Sequence, residues 1–223
     1  MIEFLGELVH YAPAFWRGLR FTLALTGIAM AIGVGGGLAL AMLRRSRLRL
    51  ARILATIYIE FFRTTPLIVQ LVWIYFVLPI ALDIELSAFQ SGAITLGMNQ
   101  AAYKSEIFRA GIAEVPLGQR RASQALGLGR IDTFRFVVLP QASAVILPLF
   151  MAHTMLLVKG TAYVSMLRVP ELTHTATLIS LDSFRFLEVY LAVGVIYFIL
   201  IYPIGVLGRW IESKGSHQWR PQQ

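Results

Sequence analysis

Residues 21–43 read FTLALTGIAMAIGVGGGLALAML, 23 positions without a formal charge. As a helix rising ~1.5 Å per residue, such a run is about 35 Å long. That exceeds the ~30 Å hydrocarbon core of a bilayer, and the helix closes its backbone hydrogen bonds internally. Four more uncharged runs follow, Thr64 to Leu82, Leu86 to Tyr103, Phe136 to Val158 and Val189 to Gly208, each 18 to 23 residues long. Extended to their flanks, they predict an all-α integral membrane protein with about five transmembrane helices, over about 18–43, 58–82, 86–108, 136–158 and 187–209, in one domain covering 1–223. A soluble core built from such runs would need helices far above the mean length of about 11–12 residues. The third run carries Ser87, Gln90, Ser91, Asn99 and Gln100 and is expected to face protein or water.

Working outward, composition agrees. The chain is 57% hydrophobic and 14% charged, whereas about a quarter of a soluble domain is charged. The first run is longer than the ~7–15-residue core of a signal peptide and ends in Arg44-Arg45 without a small-residue cleavage site, so it is expected to stay. Cysteine is absent, which excludes disulfides, thiolate metal sites and thiol nucleophiles.

The charge pattern orients the spans. Twenty Lys+Arg stand against twelve Asp+Glu, a net charge of +8. Five crossings put the termini on opposite sides and sort the connecting segments into two sets. Arg44 to Arg52, Lys104 to Arg135 and the segment from Arg209 onward hold fourteen of the cations, while residues 1–20, Asp83 to Glu85 and Lys159 to Glu188 hold five. The positive-inside rule makes the first set cytoplasmic, with the N-terminus outside and the C-terminus inside. The basic excess therefore reads as membrane topology, and no nucleic-acid partner is expected.

Catalytic constellations are missing from the sequence. There is no Gly-x-x-x-x-Gly-Lys-Ser/Thr phosphate loop, no His-Glu-x-x-His and no Gly-x-Ser-x-Gly elbow. His10, His153, His174 and His217 lack metal-ligand spacing, so neither a catalytic nor a metal site is expected. The informative segment is the cytoplasmic loop of about 109–135. Pro116-Leu117-Gly118 and Gly127-Leu128-Gly129 bracket a short helix in which Ala122, Ala125 and Leu126 share one side. A short helix with a small apolar face between two spans suits docking into a groove of another protein, although periodicity alone favours a solvated connector.

This loop resembles the EAA loop of permease subunits of bacterial ABC importers, whose pattern is Glu-Ala-Ala, three residues, Gly, nine residues, then Ile-x-Leu-Pro. The pattern falls on Arg121-Ala122-Ser123, Gly127 and Val137-Val138-Leu139-Pro140 with every spacing kept. Flanking residues are similar to the polar amino acid uptake branch: Ala102-Tyr103, Glu106-Ile107, Arg109-Ala110-Gly111-Ile112, Gly118-Gln119, Ala125-Leu126-Gly127 and Leu139-Pro140-Gln141-Ala142. Upstream, Phe62-Arg63-Thr64-Thr65-Pro66-Leu67 and Gln70-Leu71 also fit, as do Lys159-Gly160-Thr161 and Val169-Pro170-Glu171-Leu172 downstream. Three positions depart from the family: Arg121 stands at the Glu of the motif, Lys159 lacks the following acidic residue and serine, and Ala152 replaces a frequent Asn beside His153.

The resemblance implies a type I importer permease of polar amino acids. It would form half of a translocation path with a second permease subunit, either the same or a related chain. Two ATP-binding subunits would bind ATP and Mg, and this chain would hold no cofactor. An extracytoplasmic solute-binding protein would deliver an amino-acid substrate, and the chain would sit in the bacterial cytoplasmic (inner) membrane. On this reading the ATPase-coupling residues are Gly118, Gln119, Arg121, Ala122, Ser123, Ala125, Leu126 and Gly127. The competing reading is an ATP-independent secondary transporter or channel, which more often shows internal repeats.

Polar groups at membrane depth supply candidates for a substrate path or gate: Glu60 and Arg63 at the cytoplasmic mouth of the second span, with Gln70, Asn99, Gln100, Gln141 and His153. For each amide, an interhelical hydrogen bond is an equally good reading. Gly33-x-x-x-Gly37 is expected to serve close packing.

Overall fold

The structure is a computed structural model that describes the backbone of residues 2–218 and the side chains of residues 10–214. The extreme termini, Met1 and residues 219–223, whose sidedness the charge pattern assigns, lie outside the described residues. Every regular element among the described residues is a helix: α1 Ile2–Leu43, α2 Arg49–Thr64, α3 Leu67–Leu82, α4 Ala88–Glu114, α5 Leu117–Ala125, α6 Leu139–Gly160, α7 Leu172–Ser183 and α8 Phe186–Gln218. A π-helical segment, Thr133–Val138, leads into α6 and a 3-10 segment, Thr161–Leu167, leaves it. Three stretches are long and apolar enough to cross a membrane: His10–Leu43, Arg130–Leu167 and Phe186–Lys214. They cover the first, fourth and fifth expected spans.

The second expected span, 58–82, is not one helix, because α2 and α3 meet at 112°. Pro66 causes the break. Its ring disfavours the helical region for the preceding residue, and Thr65 is extended at φ −85°, ψ 143°. The run therefore reaches across a membrane only as a bent pair. The third expected span, within α4, falls short as an apolar crossing for a different reason. This 27-residue helix, about 40 Å long, buries Ser91, Thr95, Asn99, Gln100, Lys104 and Ser105 inside the bundle. It packs along α1 and also meets α2 and α6, so protein rather than lipid covers its polar side chains.

Missing side chains permit this close approach. A Cβ on Gly33 would stand 2.6 Å from the Gln100 Cβ, and one on Gly37 would stand 2.6 Å from the Lys104 Cβ. Gly97 and Gly111 of α4 similarly admit Ile32 and Ile146. Gly33-x-x-x-Gly37 is thus a packing seam, with Leu25, Ala29, Leu71, Leu96 and Leu157 forming an apolar core nearby.

Val115-Pro116 separates α4 from α5 by the same chemistry as Thr65-Pro66: Val115 is extended at φ −71°, ψ 117°. Helix α5 ends where Gly127 turns into the left-handed region at φ +84°. There, Leu128 N donates to Ser123 O and Gly127 N donates to Gln124 O, satisfying carbonyls that the last turn leaves open.

The glycine seam gives a direct test. Gly37→Leu should lower the thermal stability of the solubilised protein by about 2 kcal/mol or prevent assembly, the usual scale for overpacking. Gly35→Leu, whose Cβ meets nothing within 4 Å, should be tolerated in the same melting assay.

Candidate functional site

Helix α5 has an anchored side and a free side. Gln119 bonds Gln141 at the start of α6. Arg120 donates to the Ile112 carbonyl. Ser123 is buried, and its Oγ lies 3.1 Å from Thr133 Oγ1. These three contacts turn Gln119, Arg120 and Ser123 inward. Gly118, Arg121, Ala122, Ala125 and Gly127 stay exposed, and Leu126 is 83% exposed. Ile131, just beyond Gly127, is 81% exposed, so the outward surface combines apolar side chains with the guanidinium of Arg121. Of the eight residues expected to couple, Gln119 and Ser123 hold the helix in place and the other six face away from the bundle. Gln141 likewise tethers this loop.

The amides at depth are arranged around the α2–α3 break. Gln70 Nε2 lies 2.9 Å from Phe62 O and 3.0 Å from Thr65 O, two carbonyls at the disrupted helix end. Asn99 Nδ2 donates to Phe62 O at 3.0 Å and to Gln70 Oε1 at 3.1 Å, joining α4 to the bend. A break inside a membrane-spanning bundle leaves backbone groups that water cannot reach, and these two side chains satisfy them. Gln100 is buried against Gly33, and its Oε1 has no partner among the described residues.

A second cluster lies beside this knot. Glu60 and Arg63 pair at 3.8 Å, with 54% and 36% of their side chains exposed, so the pair itself adds little stability. The Arg63 guanidinium sits 5.9 Å above the Tyr103 ring, and that ring lies tilted with its centroid 4.9 Å from that of His153. Tyr103 lies less than one turn from Gln100, which abuts Gly33 near the middle of the uncharged α1 run. Glu60 and Arg63 thus lie beside the middle part of α4, next to Tyr103. The end of α2 just before the bend packs on α4. Glu60, Arg63, Tyr103 and His153 are brought together, whereas Gln70, Asn99 and Gln141 have structural partners of their own.

Sequence reasoning missed two groups. Lys104, counted among loop cations, is fully buried, with Nζ 3.4 Å from the Phe150 ring centroid and 3.4 Å from Phe150 O. Its place beside polar Asn99 and Gln100 on the α4 heptad was the available signal. Glu171, also fully buried, caps α7 through the N–H groups of Thr173 and His174 at 2.9 and 2.7 Å and accepts from Tyr197 Oη at 3.2 Å. Burial pushes its carboxyl up from the ordinary value, and these hydrogen bonds oppose the rise. No cluster of His, Asp or Glu suited to a metal is present among the described residues.

Comparison with known proteins places this geometry. The family described as "Binding-protein-dependent transport system inner membrane component" matches residues 19–216. The putative glutamine transport system permease protein GlnP of Rickettsia conorii is 34% identical over 96% of this chain and 98% of its own length. The octopine transport system permease protein OccM of Rhizobium radiobacter is 35% identical over 91% and 89%. A chain from the crystal structure of an amino acid ABC transporter with histidines superimposes with a TM-score of 0.85, 36% identity and coverage of 93% and 97%. The inward-facing methionine transporter MetNI, at 22% identity and a TM-score of 0.69, shares the fold. With its helices, its loop and the spacing of its motifs all accounted for, this chain belongs to the family of binding-protein-dependent transport system inner membrane components.

Proposed function

We propose that this chain is the permease subunit of an ATP-driven ABC importer for polar amino acids, coupled to a cytoplasmic ATPase through the 118–127 helix. The observation that carries this reading is the two-sided α5, bound to the bundle by Gln119, Arg120 and Ser123 while Leu126 and its neighbours project outward. An element rigidly tied to two membrane helices and bare on its far side transmits a push from whatever docks there. The chain has no phosphate loop, so nucleotide chemistry belongs to separate subunits, where ATP and Mg would bind. Membership of a binding-protein-dependent family sets aside the self-sufficient carrier or channel and makes this a multi-pass protein of the cytoplasmic membrane. The proposed arrangement has five crossings, with the second bent, and places the N-terminus outside and the arginine-rich loops inside.

Glu60 and Arg63 support a second permease subunit. Charged side chains exposed beside the middle part of α4 do not face hydrocarbon, so a partner surface or a water-filled path must cover them. A paired copy or related chain would place them, with Tyr103 and His153, on a central cavity. A carboxylate and a guanidinium side by side match the ammonium and carboxylate of an amino acid. The relatives are named for glutamine, octopine and arginine transport, and all three substrates contain that amino-acid unit. Two ATPase subunits and an external solute-binding protein would complete the importer, and rigid-body movement of the paired bundles would alternate access.

Two experiments test this. Leu126→Asp should leave membrane insertion intact and lower solute-stimulated ATP hydrolysis by about tenfold or more, as expected for a central docking residue; full stimulation would refute the docking role. Glu60→Gln, Arg63→Gln and His153→Gln should reduce uptake in proteoliposomes at unchanged melting temperature, and normal uptake in all three removes them from the path. By contrast, Gln70→Leu and Asn99→Leu should act on stability, each costing about 1–3 kcal/mol through unsatisfied buried carbonyls.

A further inference from the structure

Where α1 ends, a cavity of about 340 Å³ opens between α1, α4 and α5, lined by Ala41, Arg44, Arg45, Ser105, Arg109, Ile112, Ala113 and Arg120. Four of these eight residues are arginines and none is acidic. The carboxylate bonded to these arginines is Glu106, which pairs with both Arg44 and Arg109. Four guanidiniums and one carboxylate leave an excess of three positive charges around a space large enough for a ligand. Two buried polar atoms in the lining residues also lack partners: Arg120 Nε and Ser105 Oγ. Such atoms are costly to leave unpaired, and here a guanidinium N–H and a hydroxyl belong to residues that line the same cationic cavity. Among the described residues Arg45 has no ion pair, while Arg109 reaches Glu106 with only part of its fork, its side chain 58% exposed.

We propose that this cavity is a binding site for a phosphate-bearing anion. The planar guanidinium fork matches a pair of oxygens on a tetrahedral phosphate, and an excess of three charges favours a phosphate group over a single carboxylate. Two sources share that chemistry, the headgroup of an anionic phospholipid and free phosphate. Exposed Met42 and Leu43 on the adjoining turn of α1 offer an apolar surface for acyl chains, and basic pockets between membrane helices on the cytoplasmic side take such headgroups. Because Arg120 belongs to α5, an occupant would tie the docking helix to the ends of α1 and α4. The site stands apart from the Glu60–Arg63 cluster and does not depend on which solute is carried.

The test uses the full-length permease purified with its natural ATPase partners. Nanodiscs of phosphatidylcholine with phosphatidylglycerol load the protein, and native mass spectrometry after stepwise delipidation reads retained lipid. In a second arm, inorganic phosphate is titrated onto lipid-stripped protein while its melting temperature is followed. The wild type should retain phosphatidylglycerol over phosphatidylcholine, and Arg45→Gln and Arg109→Gln should each weaken retention about fivefold, the scale of one cation near an anionic headgroup. Stabilisation by phosphate without lipid retention, lost in the same variants, supports the site and assigns free phosphate as its source. Neither effect in the wild type overturns the proposal. An equal loss in the control Arg47→Gln/Arg49→Gln, whose arginines lie outside the cavity, also overturns it, because general surface charge would then explain the binding.

Discussion

A helix that carries Ser91, Thr95, Asn99, Gln100 and Lys104 cannot face hydrocarbon, and the packing of this chain follows from the need to cover α4. Coverage requires contact closer than ordinary side chains allow. Gly33, Gly36 and Gly37 supply it by bringing the α1 backbone against Gln100, Ala101 and Lys104. Once α1 is seated, α6 closes the opposite side, with Phe150 over the Lys104 ammonium and Ile146 in the space left by Gly111. The hydrophobic effect contributes little between helices already in lipid. Close packing and satisfied polar groups therefore hold this bundle together.

The same constraint explains the bend. Pro66 breaks the α2–α3 run at a depth where loose carbonyls have no water, and Gln70 and Asn99 take up those of Phe62 and Thr65. The amides thus make a non-helical feature tolerable inside the bundle. The end of α2 just before the bend brings Glu60 and Arg63 to the neighbourhood of Tyr103 and His153. At the other pole, three polar contacts lock α5 to α4 and α6, and its apolar outer face stays bare. The buried α4 thus runs from the Glu60–Arg63 cluster to the end that anchors α5.

Particular residues show how much was legible in advance. The short helix at 118–127 was visible because proline and glycine punctuate it, and their backbone restrictions are local. Gly127 sits at the left-handed stop that its position suggested. The packing role of Gly33 and Gly37 was readable from their spacing. The partners of Gln70 and Asn99 were not, because a hydrogen bond between residues 29 positions apart leaves no periodic trace. Lys104 misled for a similar reason: its charge suggested a loop, and only Gly37 and Phe150 on either side reveal a buried site.

By itself the sequence determined what depends on neighbours along the chain: the membrane class, from uncharged runs longer than a bilayer is thick, and the short helix of the 109–135 loop, from spaced prolines and glycines. Only the tertiary structure decided which polar groups are paid for by partners and which remain open. That question turns on distances between helices, and those are set by whole faces packing together rather than by any one segment. It gave Gln70, Asn99 and Gln141 hydrogen-bond partners, left Glu60 and Arg63 exposed with half-buried His153 nearby, and gathered four arginines around one cavity.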